Sequence, residues 1–503
     1  MPSLALLLLL ALPLVAGVVI PVLPSGVSGR GPRGVALAAG LLQLGLAAAL
    51  IWPQLQTKGN SDSIAIHQDW LPQLGLSLDL GLDGISLPLV LLAALITSLA
   101  VLATPLDQER PRLYFCLLLA TNLGLIGAFL ARNALLFVLA YELILIPTTL
   151  LVASFGGAKR ATAAIRYLTY GAVSGLTLLA AVLALGLLQG SGVGAQAQAP
   201  SFAFVDLAQR SLDPAAQKLV LALFLVAFGL KLPLVPLHGW QPATYCQAPT
   251  PVAMLLSGAV SKLGAYGLLR FGIELLPEPW AAWSPWIAAF GAISAIYGAL
   301  NGIAQGEIRR LVAYSSLGHM GLVVLALAAA TPLSLQGVMA QVLAHGLIIA
   351  LLFCLVGVIE RKTGTTTIAE LSGLLNPQRG LPFSVGLLLL GLMASAGIPG
   401  LAGFGAELLV FEGSWTTFPL PTLACLVASG LTAVYAVRLF NRVGFGRLQT
   451  KQFQWPTSSW QERLPALALS LAVVSAGLWP QLLVGLSETS TAAIAIRTPL
   501  LLP

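Results

Sequence analysis

Charged residues are scarce in this sequence. Only 9% of its 503 residues are charged, whereas 57% are hydrophobic. Soluble domains carry about 25% charged residues, so the composition excludes an ordinary soluble protein and indicates a polytopic membrane protein. The net charge of +7 comes with no basic cluster interleaved with aromatic residues, and this argues against nucleic acid as a partner.

Cysteine is also rare. The four cysteines, Cys116, Cys246, Cys354 and Cys425, stand far apart in the chain. No CxxC motif or Cys/His spacing indicates an iron–sulfur cluster, a zinc site or a haem. The sequence also lacks a GxGxxG motif after a strand and a GxxxxGK[ST] motif, so it gives no sign of a nucleotide site.

Long apolar segments, in contrast, are abundant. About 20 apolar residues are enough to cross a bilayer, and fourteen segments meet this condition. They are residues 3–23, 34–52, 82–104, 112–131, 133–155, 164–188, 216–237, 249–273, 280–303, 310–330, 334–358, 381–412, 418–441 and 464–487. The predicted fold class is therefore an all-α polytopic membrane protein with about fourteen transmembrane helices.

The distribution of Lys and Arg supports this count of spans. Seventeen of the 25 basic residues fall in connections after odd-numbered spans, and six fall after even-numbered spans or at the C-terminus. The other two lie inside spans. Basic residues accumulate on the cytoplasmic side of membrane proteins, so both termini are predicted to face the non-cytoplasmic side.

Three connections are long enough to have structure of their own. Residues 53–81 are expected to pack as an extended or partly amphipathic cap. Residues 189–215 are rich in Gly, Ala and Gln, which predicts a flexible loop. Residues 442–463 are basic and aromatic, which indicates an interfacial anchor or, as the alternative, a contact with a partner subunit.

Two neighbouring spans each contain one lysine, Lys231 and Lys262. Pro233 and Pro236 follow the first lysine and predict a helix break close to its charge. A lysine in hydrocarbon costs roughly 3 kcal/mol on insertion scales. Burial favours the neutral amine, which can take up and release a proton. The pattern therefore predicts a pair of helices that moves protons.

Two glutamates and two histidines also lie inside apolar spans. Glu142 is near the middle of span 5, and Glu407 follows a Pro and Gly cluster in span 12 that predicts a second helix break. His319 and His345 lie in spans 10 and 11, and histidine suits a proton relay because it titrates near neutral pH. The structural alternatives are a static ion pair of Glu142 with Lys231, and histidines that only join helices.

Several of these stretches resemble the antiporter-like membrane subunits of respiratory complex I and of Mrp cation/proton antiporters. The resemblance rests on LKLPLVPLHGW, QAPTPVAMLLSGAVSKLGAYGLLRF, YELILIPTTLL, EIRRLVAYSSLGHMG, LAHGLIIALLF and IPGLAGFGAELLVF. Further matches, LGLDGIS, SFGGAKRATAAIRY and IELLPEPWAAWSPW, indicate the type of subunit found in photosynthetic NAD(P)H dehydrogenase-like complexes. The resemblance covers roughly residues 80–445.

The resemblance has implications for the fold. It implies fourteen transmembrane helices with two inverted five-helix repeats, spans 4–8 and 9–13, and broken helices in spans 7 and 12. Residues 1–503 would then form one antiporter-like membrane domain. Its parts would be N-terminal helices (1–110), a first repeat (111–275), a second repeat (276–445) and a C-terminal helix (446–503).

The resemblance also implies a function. The chain would be a proton-translocating membrane subunit of a complex I-like NAD(P)H/ferredoxin–plastoquinone oxidoreductase, which couples quinone reduction to proton pumping. The implied relay consists of Glu142, Lys231, Lys262, His319, His345 and Glu407, with His319 on the entry side. Quinone reduction would open or close the Glu142–Lys231 pair and change the protonation of Lys262, whose proton would pass through His345 and water to Glu407.

Partners and location follow from the same resemblance. The implied partners are neighbouring antiporter-like subunits, the lipid bilayer and protons. Quinone and iron–sulfur clusters are expected in other subunits, with no cofactor or metal in this chain. The expected location is the thylakoid membrane, with both termini on the lumenal side.

One stretch departs from the family pattern. The family usually has HxWLPDAH after span 7, where this sequence has Ala243 and Tyr245 at the acidic and second histidine positions. The departure suggests a specialised paralogue, for which the cyanobacterial CO2-uptake forms are the candidate. Two rival functions are a secondary cation/proton antiporter and a structural membrane scaffold whose charges are static.

Overall fold

Helices make up most of the structure. The computed structural model describes residues 2–23, 29–56, 64–188, 201–209, 212–447 and 458–497. In chain order its helices are α1 (Pro2–Val22), α2 (Arg30–Ala49), α3 (Ile51–Gln56), α4 (Ser86–Ala103), α5 (Pro111–Leu130), α6 (Ala134–Phe155), α7 (Arg160–Leu188), α8 (Phe204–Gln209), α9 (Pro214–Lys231), α10 (Gln241–Gln247), α11 (Thr250–Leu255), α12 (Lys262–Gly267), α13 (Pro277–Ala304), α14 (Ile308–Ala329), α15 (Pro332–Thr363), α16 (Pro382–Ser395), α17 (Ala402–Trp415), α18 (Pro419–Gly444), α19 (Trp460–Leu478), α20 (Gln481–Val484) and α21 (Glu488–Arg497).

Twelve helical stretches among the described residues are long and apolar enough to cross a membrane. Of the other two predicted spans, residues 381–412 are divided between two shorter helices, α16 and α17, and residues 464–487 contain α20 and most of α19, a helix of 19 residues with a charged start. The polytopic helical fold class is therefore confirmed. The inverted repeats, the division into four parts and the orientation of the termini stay predictions.

A β-hairpin interrupts the otherwise helical order. Strand β1 (Ala65–Leu71) pairs antiparallel with β2 (Leu76–Gly81). The tight turn between them ends at Gly75, whose φ of 66° lies in the left-handed region that favours glycine. The expected extended cap over residues 53–81 is thus a hairpin in its second half, and residues 57–63 lie outside the described part of the chain.

The other two long connections are only partly described. Within residues 189–215 the chain forms the short helix α8, while 189–200 and 210–211 lie outside the described residues. Within residues 442–463, α18 continues to Gly444 and α19 begins at Trp460. Residues 448–457 also lie outside, so three basic residues of the charge count are not placed: Lys58, Arg210 and Lys451.

The most deeply buried spans form the centre of the protein. The apolar parts of Thr250–Glu274 and of α15 are buried throughout. Beside them, α13 and α14 approach closely at Gly298 and Gly318, where a Cβ on Gly298 would overlap the Gly318 backbone. The titratable side chains on these central spans therefore lie inside the protein rather than in lipid, because the spans themselves are buried.

Candidate functional site

Lys262 lies at an irregular point of the central span. The span changes from α11 to a π-helical turn (Leu256–Val260), continues as α12 from Lys262, and becomes π-helical again at Leu268–Glu274. Such π-turns leave backbone carbonyls free and are frequent at functional sites. The carbonyl of Ser257 accepts a hydrogen bond from Lys262 Nζ at 2.9 Å. Lys262 is fully buried, so this bond stabilises an otherwise costly amine.

A chain of titratable side chains begins at Lys262. Its Nζ lies 2.6 Å from His345 Nδ1 on α15. The His345 ring is 5.5 Å from the His319 ring on α14, measured between ring centroids. His319 Nδ1 lies 3.4 Å from Glu407 Oε1 on α17. All four side chains are buried, and we refer to them as the Lys262–Glu407 chain.

Three further polar side chains hold the Lys262–Glu407 chain in place. Ser395, the last residue of α16, lies 3.0 Å from His319 Nε2. The Gln341 amide lies 3.3 Å from His319 Nδ1. Ser429 on α18 donates a hydrogen bond of 2.6 Å to Glu407 Oε2. None of these three residues was predicted to belong to the site, although each is a polar residue inside an apolar span and could have been found by that signal.

The break in span 12 brings Ser395 and Glu407 to the chain. Helix α16 ends at Ser395 and α17 begins at Ala402. Between them Gly397 and Gly400 have φ values of 67° and 88°, a region that favours glycine. A Cβ at Gly397 would lie 2.8 Å from Glu407 Oε2. The Gly cluster that the sequence analysis read as a helix break therefore also leaves room for the carboxyl.

Glu142 and Lys231 are arranged differently. Lys231 is the last residue of α9, and its Nζ lies 4.5 Å above the Tyr141 ring on α6. Among the described residues, Glu142 and Lys231 form no ion pair within 4.0 Å. Glu142 Oε1 is buried without a hydrogen-bond partner. The static ion pair considered as an alternative is thus not formed in this structure.

A short hydrogen-bonded path connects the three helices around these two residues. Tyr141 Oη and Ser174 Oγ on α7 lie 2.6 Å apart. Ser174 Oγ in turn donates to the Ala227 carbonyl on α9 at 2.7 Å. This path fixes α6, α7 and α9 relative to one another, next to Glu142.

The departure from the family pattern lies beside Lys262. Tyr245 is fully buried on α10, and its hydroxyl lies 3.3 Å from the Leu256 carbonyl in the first π-helical turn. That turn supplies the carbonyl that binds Lys262 Nζ. The side chain at position 245 thus contacts the backbone that holds the central lysine.

Arg309 fixes the position of this region. Its guanidinium donates to the carbonyls of Tyr245, Cys246 and Ala248, and to the Thr250 hydroxyl. It also pairs with Glu360 at 2.8 Å. An arginine has five N–H donors, so one side chain holds the end of α10 against the start of the central span.

Four of the six predicted relay residues are therefore brought together, and two lie apart. Lys262, His345, His319 and Glu407 form the chain, with His319 between His345 and Glu407. Among the described residues, no group of three His, Cys, Asp or Glu side chains could hold a metal ion.

A charged pair outside the chain ties the hairpin end to the central span. Asp83 contacts Arg270, which also donates to Glu274 at 2.9 Å. Asp83 Oδ1 accepts from the backbone of Ile85 and Ser86 at the start of α4. Burial opposes ionisation of Asp83, but the Arg270 charge and these hydrogen bonds outweigh it and lower the pKa of Asp83.

The sequence of this chain is similar to those of known membrane proteins. The family described as "NADH:quinone oxidoreductase/Mrp antiporter, TM" matches residues 131–432. NAD(P)H-quinone oxidoreductase chain 4 2 of Thermosynechococcus vestitus is 37% identical over 500 residues, which cover 97% of this chain and 91% of that protein. A chain 4-3 of Nostoc sp. is 38% identical over 445 residues, 87% of this chain and 77% of that protein.

Solved structures show the same architecture. A chain of respiratory complex I from Thermus thermophilus with bound NADH matches with a TM-score of 0.86 at 29% identity, over 99% of this chain and 100% of that chain. A chain of the Mrp complex from Dietzia sp. matches with a TM-score of 0.85 at 21% identity, over 99% and 98% of the two chains. The second match shows the fold alone. Taken with the sequence matches, the likeness to the complex I chain shows that this chain belongs to the NADH:quinone oxidoreductase/Mrp antiporter family of membrane proteins.

Proposed function

We propose that this chain translocates protons across the membrane as a subunit of a complex I-like NAD(P)H/ferredoxin–plastoquinone oxidoreductase. The observation that carries the proposal is the Lys262–Glu407 chain. Four helices each contribute one titratable side chain to it, and all four side chains are buried. Such groups are costly inside a membrane and are by default functional. The relatives named NAD(P)H-quinone oxidoreductase chain 4 support the assignment to a quinone-reducing complex.

The geometry supports a stepwise transfer. The Lys262 ammonium would donate a proton to His345 Nδ1, and His345 would release a proton from Nε2, a nitrogen that is buried without a hydrogen-bond partner. His319 would pass the proton to the Glu407 carboxylate, which it faces at 3.4 Å. His319 would therefore take part in the transfer from His345 to Glu407, a step that was expected to use water.

Glu142 and Lys231 would control the first step. In this structure their pair is open, and the Lys231 amine rests on the Tyr141 ring. When the Glu142 carboxylate approaches Lys231, it would neutralise a positive charge in the domain that holds Lys262. Because like charges disfavour protonation of each other, the state of the pair would change the proton affinity of Lys262.

The proposal also covers the cofactor content, the location and the type of the subunit. The subunit would bind no redox cofactor, and electrons would stay in neighbouring subunits. The cyanobacterial relatives favour a thylakoid membrane, with both termini at the lumen as the distribution of basic residues predicts. Ala243 and Tyr245 favour a specialised form of the subunit, and the CO2-uptake form is the candidate.

The test is quinone-dependent proton uptake into vesicles that carry the assembled complex, with Lys262→Met beside wild type. Methionine keeps the bulk of the side chain and removes its charge. We expect uptake to fall by on the order of 10²-fold, the scale of a lost acid–base group, while the complex stays assembled. The control is Lys218→Met, an exposed lysine on α9, which should pump as wild type does.

The rival functions give different results in the same vesicles. Unchanged uptake in the Lys262→Met complex would mean that the buried charges are static and that the chain is a scaffold. Proton movement that needs a sodium or potassium gradient, and no quinone reduction, would identify a secondary antiporter.

A further inference from the structure

Glu142 packs against the backbone of the neighbouring helix at a glycine. A Cβ built on Gly175 of α7 would overlap Glu142 Oε1. Gly175 is itself buried. The absence of a side chain at position 175 is therefore what leaves space for the carboxyl between α6 and α7.

The neighbouring residues fix this contact in register. Tyr141 precedes Glu142 on α6, and Ser174 precedes Gly175 on α7. Their hydroxyls lie 2.6 Å apart, and Ser174 is bonded to α9. The hydrogen bond between Tyr141 and Ser174 therefore holds α6 and α7 together directly beside the contact of Glu142 with Gly175.

The carboxyl gains little from this position by itself. Glu142 Oε1 has no hydrogen-bond partner, and a contact with a glycine Cα contributes at most a weak C–H···O interaction. A carboxyl that is held by packing rather than by strong hydrogen bonds can leave its position at a small cost in free energy. It can therefore alternate between the surface of α7 and the Lys231 amine.

We infer that Gly175 is a positioning residue, which provides the resting place of the Glu142 carboxyl when the Glu142–Lys231 pair is open. The inference rests on the proposed function, since it assigns a structural cause to one state of that pair. Gly175→Ala would fill the resting place, hold the carboxyl away from α7 and prevent the pair from alternating.

The chain offers a matched control on the same helix face. Gly171 lies one turn before Gly175, and a Cβ there would overlap the flexible end of the Leu145 side chain. Gly171→Ala therefore crowds the same α6–α7 interface without touching a carboxyl. In both variants alanine is the better helix former, so the substitution does not weaken α7 itself.

The experiment measures quinone-dependent proton uptake and quinone reduction by the assembled complex in vesicles. Four variants are compared with wild type: Gly175→Ala, Gly171→Ala, Glu142→Gln, and the double variant Gly175→Ala/Glu142→Asp. Aspartate retracts the carboxyl by about 1.5 Å, one carbon–carbon bond. We expect Gly175→Ala to lose most of the uptake, Gly171→Ala to keep it, and the double variant to recover part of it.

Infrared spectroscopy distinguishes a displaced Glu142 carboxyl from a general change in the packing of α6 and α7. The infrared band of the Glu142 carboxyl is identified by its loss in Glu142→Gln. It should shift in Gly175→Ala and stay unchanged in Gly171→Ala, because only the first substitution changes the surroundings of the carboxyl.

The outcomes distinguish this inference from the proposed function. Wild-type uptake in Glu142→Gln would remove Glu142 from the relay and the inference with it. Loss in Glu142→Gln with normal uptake in Gly175→Ala would overturn the inference alone, as would equal losses in both glycine variants. If Gly175→Ala does not assemble, recovered assembly of the double variant supports the inference, and continued failure overturns it.

Discussion

The six predicted relay residues of this protein form two groups that differ in how they are connected. Lys262, His345, His319 and Glu407 form a chain whose two hydrogen-bond or ion-pair distances are 2.6 Å and 3.4 Å. Glu142 is half-buried and forms no ion pair with the buried Lys231 within 4.0 Å. We propose that the first group transfers protons from residue to residue and that the second group changes state.

The surroundings of the two glutamates deepen this difference. Glu407 Oε2 accepts a hydrogen bond from Ser429, so its carboxyl is held by a polar partner. Glu142 Oε1 lies against Gly175 with no such partner. Glu407 Oε1, like Glu142 Oε1, has no hydrogen-bond partner, so the bond from Ser429 to Oε2 is the feature that distinguishes the two carboxyls. We therefore propose that Glu142 is the more mobile of the two.

The largest effect on proton uptake, and the strongest test of the difference between the two groups, is expected at His319. His319→Leu fills the space between His345 and Glu407 but cannot carry a proton. Quinone-dependent uptake in vesicles should fall by on the order of 10²-fold. His67→Leu, at an exposed histidine of the hairpin, is the control and should pump normally. Uptake above half of the wild-type rate would show that protons bypass the Lys262–Glu407 chain.

A smaller effect is expected at Tyr245, beside the start of the chain. Tyr245→Phe keeps the buried ring and removes the hydroxyl that reaches the Leu256 carbonyl. The loss of one hydrogen bond of about 1 kcal/mol should lower the rate of uptake by about fivefold. The matched control is Tyr297→Phe, which keeps the ring that contacts His238. An unchanged rate in the Tyr245→Phe complex would limit Tyr245 to packing.

The smallest effect on pumping is expected at a charged pair outside both groups. Asp83→Asn keeps the hydrogen-bond acceptor for the backbone of Ile85 and Ser86 and removes the charge that faces Arg270. Uptake by the assembled complex should stay normal. Thermal unfolding should show a loss of about 1.5–3 kcal/mol, the contribution of a hydrogen bond to a charged group, because Arg270 keeps its pair with Glu274.

The pH dependence of this loss follows from the lowered pKa of Asp83. A carboxyl whose folded pKa lies below its unfolded value contributes stability above the unfolded value, and the contribution disappears as the pH falls through the folded value. The difference between wild type and Asp83→Asn should thus be constant from pH 8 to pH 5 and shrink only below about pH 4. A difference that already shrinks near pH 6 would contradict a static pair, and Asp69→Asn on the exposed hairpin is the control.

Local chemistry was enough to predict several features. The scarcity of charge and the lengths of the apolar segments predict a polytopic helical protein, because each helix must satisfy its backbone hydrogen bonds within itself when lipid surrounds it. The Pro and Gly residues after Lys231 and before Glu407 mark where α9 ends and where α16 gives way to α17. The charges inside apolar spans mark the candidate relay residues, because such charges are costly in hydrocarbon.

The contacts between residues of different helices could not be predicted from the sequence. Lys262 and His345 are separated by 82 intervening positions in the chain, and nothing in the sequence says that α14 would place His319 between His345 and Glu407. The π-helical turns around Lys262 also went unpredicted, because a single extra residue in a turn leaves no mark in hydrophobic periodicity.

The sequence by itself determined the class of protein, twelve of the fourteen predicted spans, and which apolar spans carry the candidate relay residues. Only the tertiary structure decided that four of them touch in a chain while Glu142 rests on Gly175, apart from Lys231. The physical reason is that burial and helix formation depend on local composition, whereas a proton path and a carboxyl's resting place depend on how helices distant in sequence pack side by side.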